Sequence, residues 1–169
     1  MKKPTVHLVD YDANWPEQFE KEKECIQKAT DVVGIEHVGS TSIEGLSAKP
    51  IIDIAVGIRD LAEVESMKDP LAQAGYKYVH KPELEDRRFF RKGAWGEGTT
   101  HVHICDYEGA QWKEKLAFRD YLRAHPAVAK EYEALKQTLA SRYKDDRPTY
   151  TREKEPFIKR VLELANVKR

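Results

Sequence analysis

The chain has 169 residues, 40% of them hydrophobic, and its 29 lysines and arginines balance 29 aspartates and glutamates. This length supports one well-buried core, because two separate domains would each be marginal. The balanced charge provides no long-range field, which argues against nucleic acid and membranes as partners and requires any anion site to be local.

The amino-terminal part predicts an extended segment, a helix and two buried strands. Residues 5–9 suit an edge strand or an extended arm, and Asp12 or Asn14 can cap the helix that follows. Residues 32–38 and 51–56 are rich in β-branched side chains and bounded by glycine or proline, which is typical of strands buried in a sheet.

The polar loop between these strands begins with Gly39, Ser40, Thr41 and Ser42. Glycine lets the backbone turn closely, and three hydroxyls with successive N–H groups can face an anion. If a short helix begins here, with Ser40 or Ser42 as its cap, its unpaired amides and dipole add to the attraction. We therefore predict a phosphate cradle in this loop, with Lys49 just after it as a cation for phosphate oxygens.

Asp53 interrupts the second of the two apolar strands. A carboxylate in that position is costly to bury unless a cation meets it, and a divalent metal is the simplest candidate. The alternative is a structural aspartate that accepts hydrogen bonds from its neighbours.

The next segment predicts a second helix, which Asp60 can cap and Gly75 can end. Pro70 lies inside this helix and should kink or split it, because proline removes one helical hydrogen bond and clashes with the preceding turn.

The rest of the chain predicts the remaining strands and then helices alone. Residues 76–79 suit a strand, and residues 89–105 suit an antiparallel hairpin around a glycine-rich turn. Helices are expected over residues 111–124, over 126–144 and from about residue 148 onward. The result is a mixed sheet over about residues 1–108 and a helical lobe over about 109–169, in one domain.

His101 and His103 lie two residues apart in the second strand of that hairpin, so both side chains point to one face of the sheet. Together with Asp53 they would form a His/His/carboxylate set of the kind that holds a divalent metal. We therefore predict Asp53, His101 and His103 as metal ligands and catalytic residues. Because histidines also serve as buried hydrogen-bonding groups, the proximity of the three side chains is the step to test.

Two family resemblances rest on these residues. A Gly-Ser turn followed by an aspartate on the next strand resembles the polymerase-beta-type nucleotidyltransferase superfamily. The run from His37 to Ile54 resembles the GrpB family of small bacterial proteins, also found fused to dephospho-coenzyme A kinase, and the likeness extends to residues 100–104, 118–123 and 150–158. The resemblance implies an α/β (α+β) fold with a mixed nucleotidyltransferase-like sheet, flanking helices and a C-terminal helical lobe.

The resemblance also implies a site. Its cofactor would be a divalent metal, Mg²⁺, Mn²⁺ or Zn²⁺, and its ligands ATP or another nucleoside triphosphate and an unknown small-molecule acceptor. Tyr150 and Lys154 would face the cleft; their spacing of four puts them on one side of a helix, where they could equally pair within the lobe. Arg91 is a further candidate for phosphate oxygens, or a surface residue.

The sequence departs from the superfamily pattern at Ala55, where a second carboxylate normally follows the first by two residues. Two-metal phosphoryl transfer uses several carboxylates to hold its cations. Either His101 and His103 replace the missing ligand, which would favour Mn, Fe or Zn over Mg, or the site does not support two-metal chemistry.

Three functional hypotheses follow. The first is a nucleotidyltransferase that binds a nucleoside triphosphate, and the second is a non-catalytic nucleotide-binding module of the same fold. The third is a metal-dependent phosphohydrolase that uses His101 and His103. Trp95, Tyr107 and Trp112 could stack a base in such a site, or they could anchor the core and loops.

Two cysteines far apart in sequence, Cys25 and Cys105, suit reduced thiols. No apolar run approaches the roughly 18 residues of a membrane span, and the amino terminus has no signal-peptide pattern. We therefore expect a cytoplasmic protein; nothing in the sequence indicates its oligomeric state.

Overall fold

Five strands and five helices account for most of the residues that the computed structural model describes, 5–94 and 97–167. The strands are β1 (Gly34–Val38), β2 (Ile52–Ile58), β3 (Lys77–Val79), β4 (Arg87–Ala94) and β5 (Glu97–Asp106). The helices are α1 (Trp15–Ala29), α2 (Val64–Gln73), α3 (Ala110–Ala124), α4 (Pro126–Arg142) and α5 (Arg147–Leu164). Short 3-10 turns form at Ser40–Ser42 and Leu61–Glu63.

All five strands form one mixed sheet in the order β1-β2-β5-β4-β3. β2 and β5 are parallel neighbours, and the other three pairs are antiparallel. With helices against the sheet and three helices at the carboxyl end, this architecture confirms the predicted fold class. The turn between β4 and β5, including Trp95, lies outside the described residues.

Successive side chains of β2 point to opposite faces of the sheet, which we call the core side and the site side. Ile52, Ile54 and Val56 point into the main core, where α1 and α2 cover the sheet. Asp53 and Ala55 point to the opposite face, toward the carboxyl-terminal helices. Because β2 is an interior strand between β1 and β5, Asp53 is held by paired strands on both sides.

Two glycines leave space on the sheet for the aromatic side chains by which α3 packs on it. A Cβ atom at Gly34 would lie 2.9 Å from the Trp112 ring, and one at Gly57 would lie 2.8 Å from the Tyr107 ring. Trp112 is 5% exposed, and its ring centroid is 5.1 Å from that of Tyr107. Both aromatic side chains therefore anchor α3 on the sheet, which was one of the two interpretations of the sequence.

Three local predictions can be compared with the backbone. Gly75 has φ +98° and follows the C-cap Ala74, so the expected carboxyl end of the second helix is confirmed. Asp60 Oδ1 accepts a hydrogen bond from Ala62 N at 2.9 Å, but it caps the 3-10 turn Leu61–Glu63 and not α2 itself. Pro70, however, lies inside α2 and does not split it. The break occurs earlier, where the 3-10 turn passes into α2 at Val64.

The amino-terminal segment is an extended arm rather than a strand of the sheet. Val9 forms an isolated antiparallel bridge with Ala48, and Val6 N donates to Lys144 O at 2.7 Å. The arm thereby fixes the chain just before Lys49. No helix within the described residues has the length and apolarity to cross a membrane, and the cytoplasmic location stays a prediction.

Candidate functional site

A cleft of about 330 Å³ lies over the site side of β2 and β5, beneath α5. Predicted site residues that line it are Ser40, Thr41, Lys49, Asp53, His101, His103, Tyr150 and Lys154. Gly39, Ser42 and Arg91 are not among its lining residues. Arg87, four residues before Arg91 on the same strand face, lines the cleft instead.

The sheet register brings the predicted acid and the two imidazoles together. Asp53 lies directly opposite His101 in the parallel β2–β5 pair. The distance from Asp53 Oδ1 is 3.8 Å to His101 Nδ1 and 3.9 Å to His103 Nε2. All three side chains therefore share one face, as the predicted site requires, although their proximity alone does not assign them a role.

The environment favours an ionised acid beside neutral imidazoles. Burial alone would raise the pKa of Asp53, but the neighbouring His103 and His101 and the charge of Lys49 hold it below its usual value. Burial lowers the pKa of His103 to about 3 and also lowers that of His101. At neutral pH each imidazole is therefore neutral and keeps a lone pair that can accept a proton or bind a metal.

These residues fit a metal only in part. His103 Nδ1 is buried without a hydrogen-bond partner in the described part of the chain. Within the same residues, however, no group of three or more His, Cys, Asp or Glu side chains is placed to hold a metal ion. One carboxylate with neutral imidazoles is instead suited to a cation that completes its coordination with phosphate oxygens of a bound ligand.

The position of the missing carboxylate is closed by apolar packing. Ala55 is fully buried and packs with Val38, Cys105 and Trp112. Burial also raises the pKa of the Cys105 thiol to about 11, so Cys105 is a protonated core residue rather than a metal ligand. A carboxylate in place of Ala55 would therefore be buried among these apolar side chains.

Gly39 brings the backbone against the acid. Its φ of +73° and ψ of −173° belong to a region that is essentially restricted to glycine. A Cβ atom at this position would lie 2.5 Å from Asp53 Oδ2 and 2.9 Å from Asp53 Cβ. The glycine of the predicted cradle is thus required by both conformation and space.

The contacts of the hydroxyl groups after Gly39 differ from those predicted. Residues 40–42 form a single 3-10 turn whose N-cap is Gly39, so the proposed caps Ser40 and Ser42 are wrong. The tight turn folds the Ser42 hydroxyl back onto Gly39 O at 2.5 Å, and Thr41 Oγ1 lies 2.9 Å from His37 Nε2. The hydroxyls of Thr41 and Ser42 therefore already have protein partners, and the contact of all three hydroxyls with phosphate stays a prediction.

Two arginines one turn apart on α3 hold this turn in place. Arg123 donates from Nε and Nη2 to Ser42 O, at 3.0 and 2.7 Å. Arg119 donates to His37 O at 3.1 Å and to Glu36 at 2.8 Å. The helical lobe is thus hydrogen-bonded to the backbone on both sides of Gly39.

Two lysines of the cleft lie close to an aromatic ring. Lys49 Nζ lies 5.4 Å and Lys154 Nζ 4.6 Å from the ring centroid of Tyr150, which is 1% exposed. Neither lysine forms an ion pair with a described residue. Burial and the charge of Lys154 lower the pKa of Lys49 to about 8. Tyr150 therefore positions the two lysines, and Asp53 is the acid of the described residues whose charge acts on both.

Sequence reasoning missed several cations of the cleft, which are Lys81, Lys136 and Arg147. Lys136 had a signal, because it follows Tyr132 by four residues and precedes Leu139 by three, on the buried stripe of α4. It is 1% exposed and donates to Ser47 O at 2.6 Å. Lys81 and Arg147 carried no comparable pattern.

Comparison with known proteins assigns the family. The profile of the family described as GrpB protein matches residues 5–164. The chain is 40% identical over 168 residues to the glutamate-rich protein GrpB of Alkalihalophilus pseudofirmus, covering 96% of this chain and 97% of that protein. It is 37% identical to the UPF0157 protein YqkA of Bacillus subtilis, of which it spans only 48%.

Solved structures agree with this assignment. The crystal structure of the conserved protein GrpB from Enterococcus faecalis superposes with a TM-score of 0.86 at 36% identity, covering 94% of this chain and 96% of the other. A cytoplasmic RNA terminal U-transferase reaches a TM-score of only 0.43 at 10% identity, over 79% of this chain and 42% of that one, which carries no argument about function. The chain therefore belongs to the GrpB family.

Proposed function

We propose that the chain binds a nucleoside triphosphate in the cleft over Asp53 and transfers a nucleotidyl group to a small-molecule acceptor. The observation that carries this proposal is the charge of the cleft. Among the described lining residues, six are lysines or arginines and one is a carboxylate. Such an excess of positive charge in a partly desolvated cleft favours a ligand with several negative charges.

The phosphates would lie between the Gly39 turn and α5. Lys49 and Lys154 are available there because neither forms an ion pair with a described residue, and Tyr150 fixes both ammonium groups. Lys136 lies in the same cleft, but burial lowers its pKa to about 7 and Ser47 O already accepts one of its hydrogens, so it is partly neutral before binding. Positioning and charge stabilisation of this kind supply most of the rate in phosphoryl-group chemistry.

Asp53, with His101 or His103, would hold a divalent cation that arrives with the triphosphate. Mg²⁺ or Mn²⁺, with Zn²⁺ as a further candidate, would screen charge on the transferring phosphate. In the transfer, the acceptor oxygen bonds to the α-phosphorus and the bond from that phosphorus to the α,β-bridging oxygen breaks. Pyrophosphate leaves with the bonding electrons, and the acceptor proton passes to solvent.

A second candidate function is a nucleotide-binding module without turnover. The apolar packing around Ala55 favours it, because the site lacks the second carboxylate of two-metal catalysis. The phosphohydrolase hypothesis, by contrast, depends on His101 and His103. With their pKa values lowered, the two imidazoles would be ligands rather than proton donors at neutral pH.

Calorimetry with a matched pair of variants tests the binding step. Lys154→Gln should weaken triphosphate binding about tenfold or more, because one charge-assisted contact is lost. Lys159→Gln changes an exposed lysine of the same helix and should leave binding unchanged. Equal affinities for wild type and Lys154→Gln would reject the proposed phosphate position.

A triphosphate labelled at the α-phosphate separates the three functions. Incubated with a pool of small metabolites, a transferase moves the label to a new product and releases pyrophosphate. A hydrolase releases phosphate or pyrophosphate without a labelled adduct, and a binding module leaves the triphosphate intact. Binding without conversion across broad acceptor pools would replace the transferase proposal with the binding module.

A further inference from the structure

The cations around Asp53 fall into two groups. The first group is Lys49, Lys136 and Lys154, which line the cleft together with Lys81 and Arg147. The ammonium groups of Lys49 and Lys154 lie 5.4 and 4.6 Å from the ring centroid of Tyr150. The second group is Arg87 and Lys115, on β4 and α3. Arg87 lies opposite Cys105 in the β4–β5 pair, and its Nη1 donates to Gln111, which is one turn before Lys115 on α3. The charge of Arg87 also acts on Lys115.

The two histidines mark where the groups lie. Asp53 lies opposite His101 in the β2–β5 pair, whereas Arg87 lies opposite Cys105 in the β4–β5 pair, two residues beyond His103. Residues two apart in a strand are separated by about 7 Å along it. The second group therefore lies further along β5 than Asp53, on the side of His103, and Asp53 Oδ1 is within 4 Å of both imidazoles. A ligand phosphate on the first group would therefore leave the second group vacant beside the same acid.

The second group is oriented but not neutralised. Arg87 Nη1 donates to the Gln111 side chain, whose own amide donates to Asp86 at 2.8 Å, and Arg87 Nε is buried without a partner in the described part of the chain. Lys115 Nζ makes no hydrogen bond or ion pair with any described residue; the acids that act on its charge are Asp53 and the adjacent Glu114.

A guanidinium fork beside an ammonium is suited to oxyanions. We propose that Arg87 and Lys115 form a second anion subsite, which takes a phosphate or carboxylate group of the acceptor. The acceptor is then itself an anionic small molecule, seated on the His103 side of Asp53. Its role as acceptor rests on the proposed function above, whereas the binding of an oxyanion at Arg87 and Lys115 does not.

The test uses inorganic phosphate as the probe and a non-hydrolysable ATP analogue to fill the first group. Phosphate is titrated calorimetrically into the full chain with and without saturating analogue. In the wild type, phosphate should still bind when the analogue is present. Lys115→Gln should weaken that phosphate binding about tenfold or more, and should change the affinity for the analogue less than about twofold.

Matched variants keep the result interpretable. Lys113→Gln alters an exposed lysine two residues earlier on α3 and should leave both affinities unchanged. Arg87→Lys keeps the charge but not the fork, so it should weaken phosphate less than Arg87→Gln does. Far-ultraviolet circular dichroism and the thermal midpoint establish that each variant is folded.

Three outcomes would overturn the second subsite: complete displacement of phosphate by the analogue, an equal loss of both affinities in Lys115→Gln, and no phosphate binding at millimolar concentrations. The proposed function fails separately, if the analogue does not bind at all. Phosphate binding that depends on Lys115 would then still establish the subsite.

Discussion

Replacing Gly39 with alanine should destabilise the protein strongly, because two separate costs meet at this position. A non-glycine residue at φ +73° and ψ −173° costs about 1–3 kcal/mol of backbone strain. The new Cβ would lie 2.5 Å from Asp53 Oδ2, and relieving such an overlap typically costs about 1–3 kcal/mol more. We expect the free energy of unfolding to fall by about 2–6 kcal/mol, a large share of the roughly 5–15 kcal/mol of a typical domain.

A double-mutant cycle with Asp53→Gly, measured by urea unfolding, separates the two costs. Removing the Asp53 side chain relieves the overlap but not the strain, so Gly39→Ala should cost about 1–3 kcal/mol less in the Asp53→Gly background. Gly45 is a matched control, since it also has a positive φ but a Cβ added there would meet no atom within 4 Å. If Gly39→Ala costs no more than Gly45→Ala, the packing of the turn against Asp53 is wrong.

Three further predictions concern charge, position and metal. Triphosphate binding should weaken about tenfold from about pH 7 to about pH 9, because Lys49 has a pKa of about 8 before binding and must be protonated to bind phosphate. In Lys49→Arg, calorimetric titration should show a weaker dependence of affinity on pH. A wild-type affinity that is constant over this range would contradict the role of Lys49. Arg123→Ala should cost about 1–3 kcal/mol of stability and accelerate hydrogen exchange around residues 40–43, and Arg123→Lys should restore both only in part. Unchanged exchange would show that the Arg123 side chain does not hold the turn. The affinity of the protein for Mn²⁺, measured by electron paramagnetic resonance, should be much higher in the presence of a triphosphate than in its absence. Tight stoichiometric binding without nucleotide would mean that the protein alone forms a complete metal site.

The sequence predicted the elements well because their signals are local. The alternation of β2 and the caps at Asp60 and Gly75 depend on neighbours a few residues away. The same alternation placed His101 and His103 on one face. That this face also holds Asp53 depends on the parallel pairing of β2 with β5, which no local pattern specifies.

The parts of the site that escaped prediction depend on tertiary contacts. The hydroxyls of Thr41 and Ser42 were expected to face a ligand, but in a single 3-10 turn their nearest acceptors and donors are protein atoms. Arg87 replaces Arg91 in the cleft lining although both lie on one strand face. Lys136 is a different case, because it was missed although its place on the apolar stripe of α4 is a local signal for a buried cation.

The central claim is that the cleft binds a triphosphate through its lysines and a metal through Asp53. The most direct measurement is the affinity for ATP of wild type and Asp53→Asn, each with a chelator and with saturating Mg²⁺. Without metal, the variant should bind ATP about tenfold more tightly, because a negative charge beside the phosphates is removed; with Mg²⁺, it should bind about tenfold more weakly, because a ligand of the cation is lost. The same change in affinity under both conditions, or no change under either, would contradict the account.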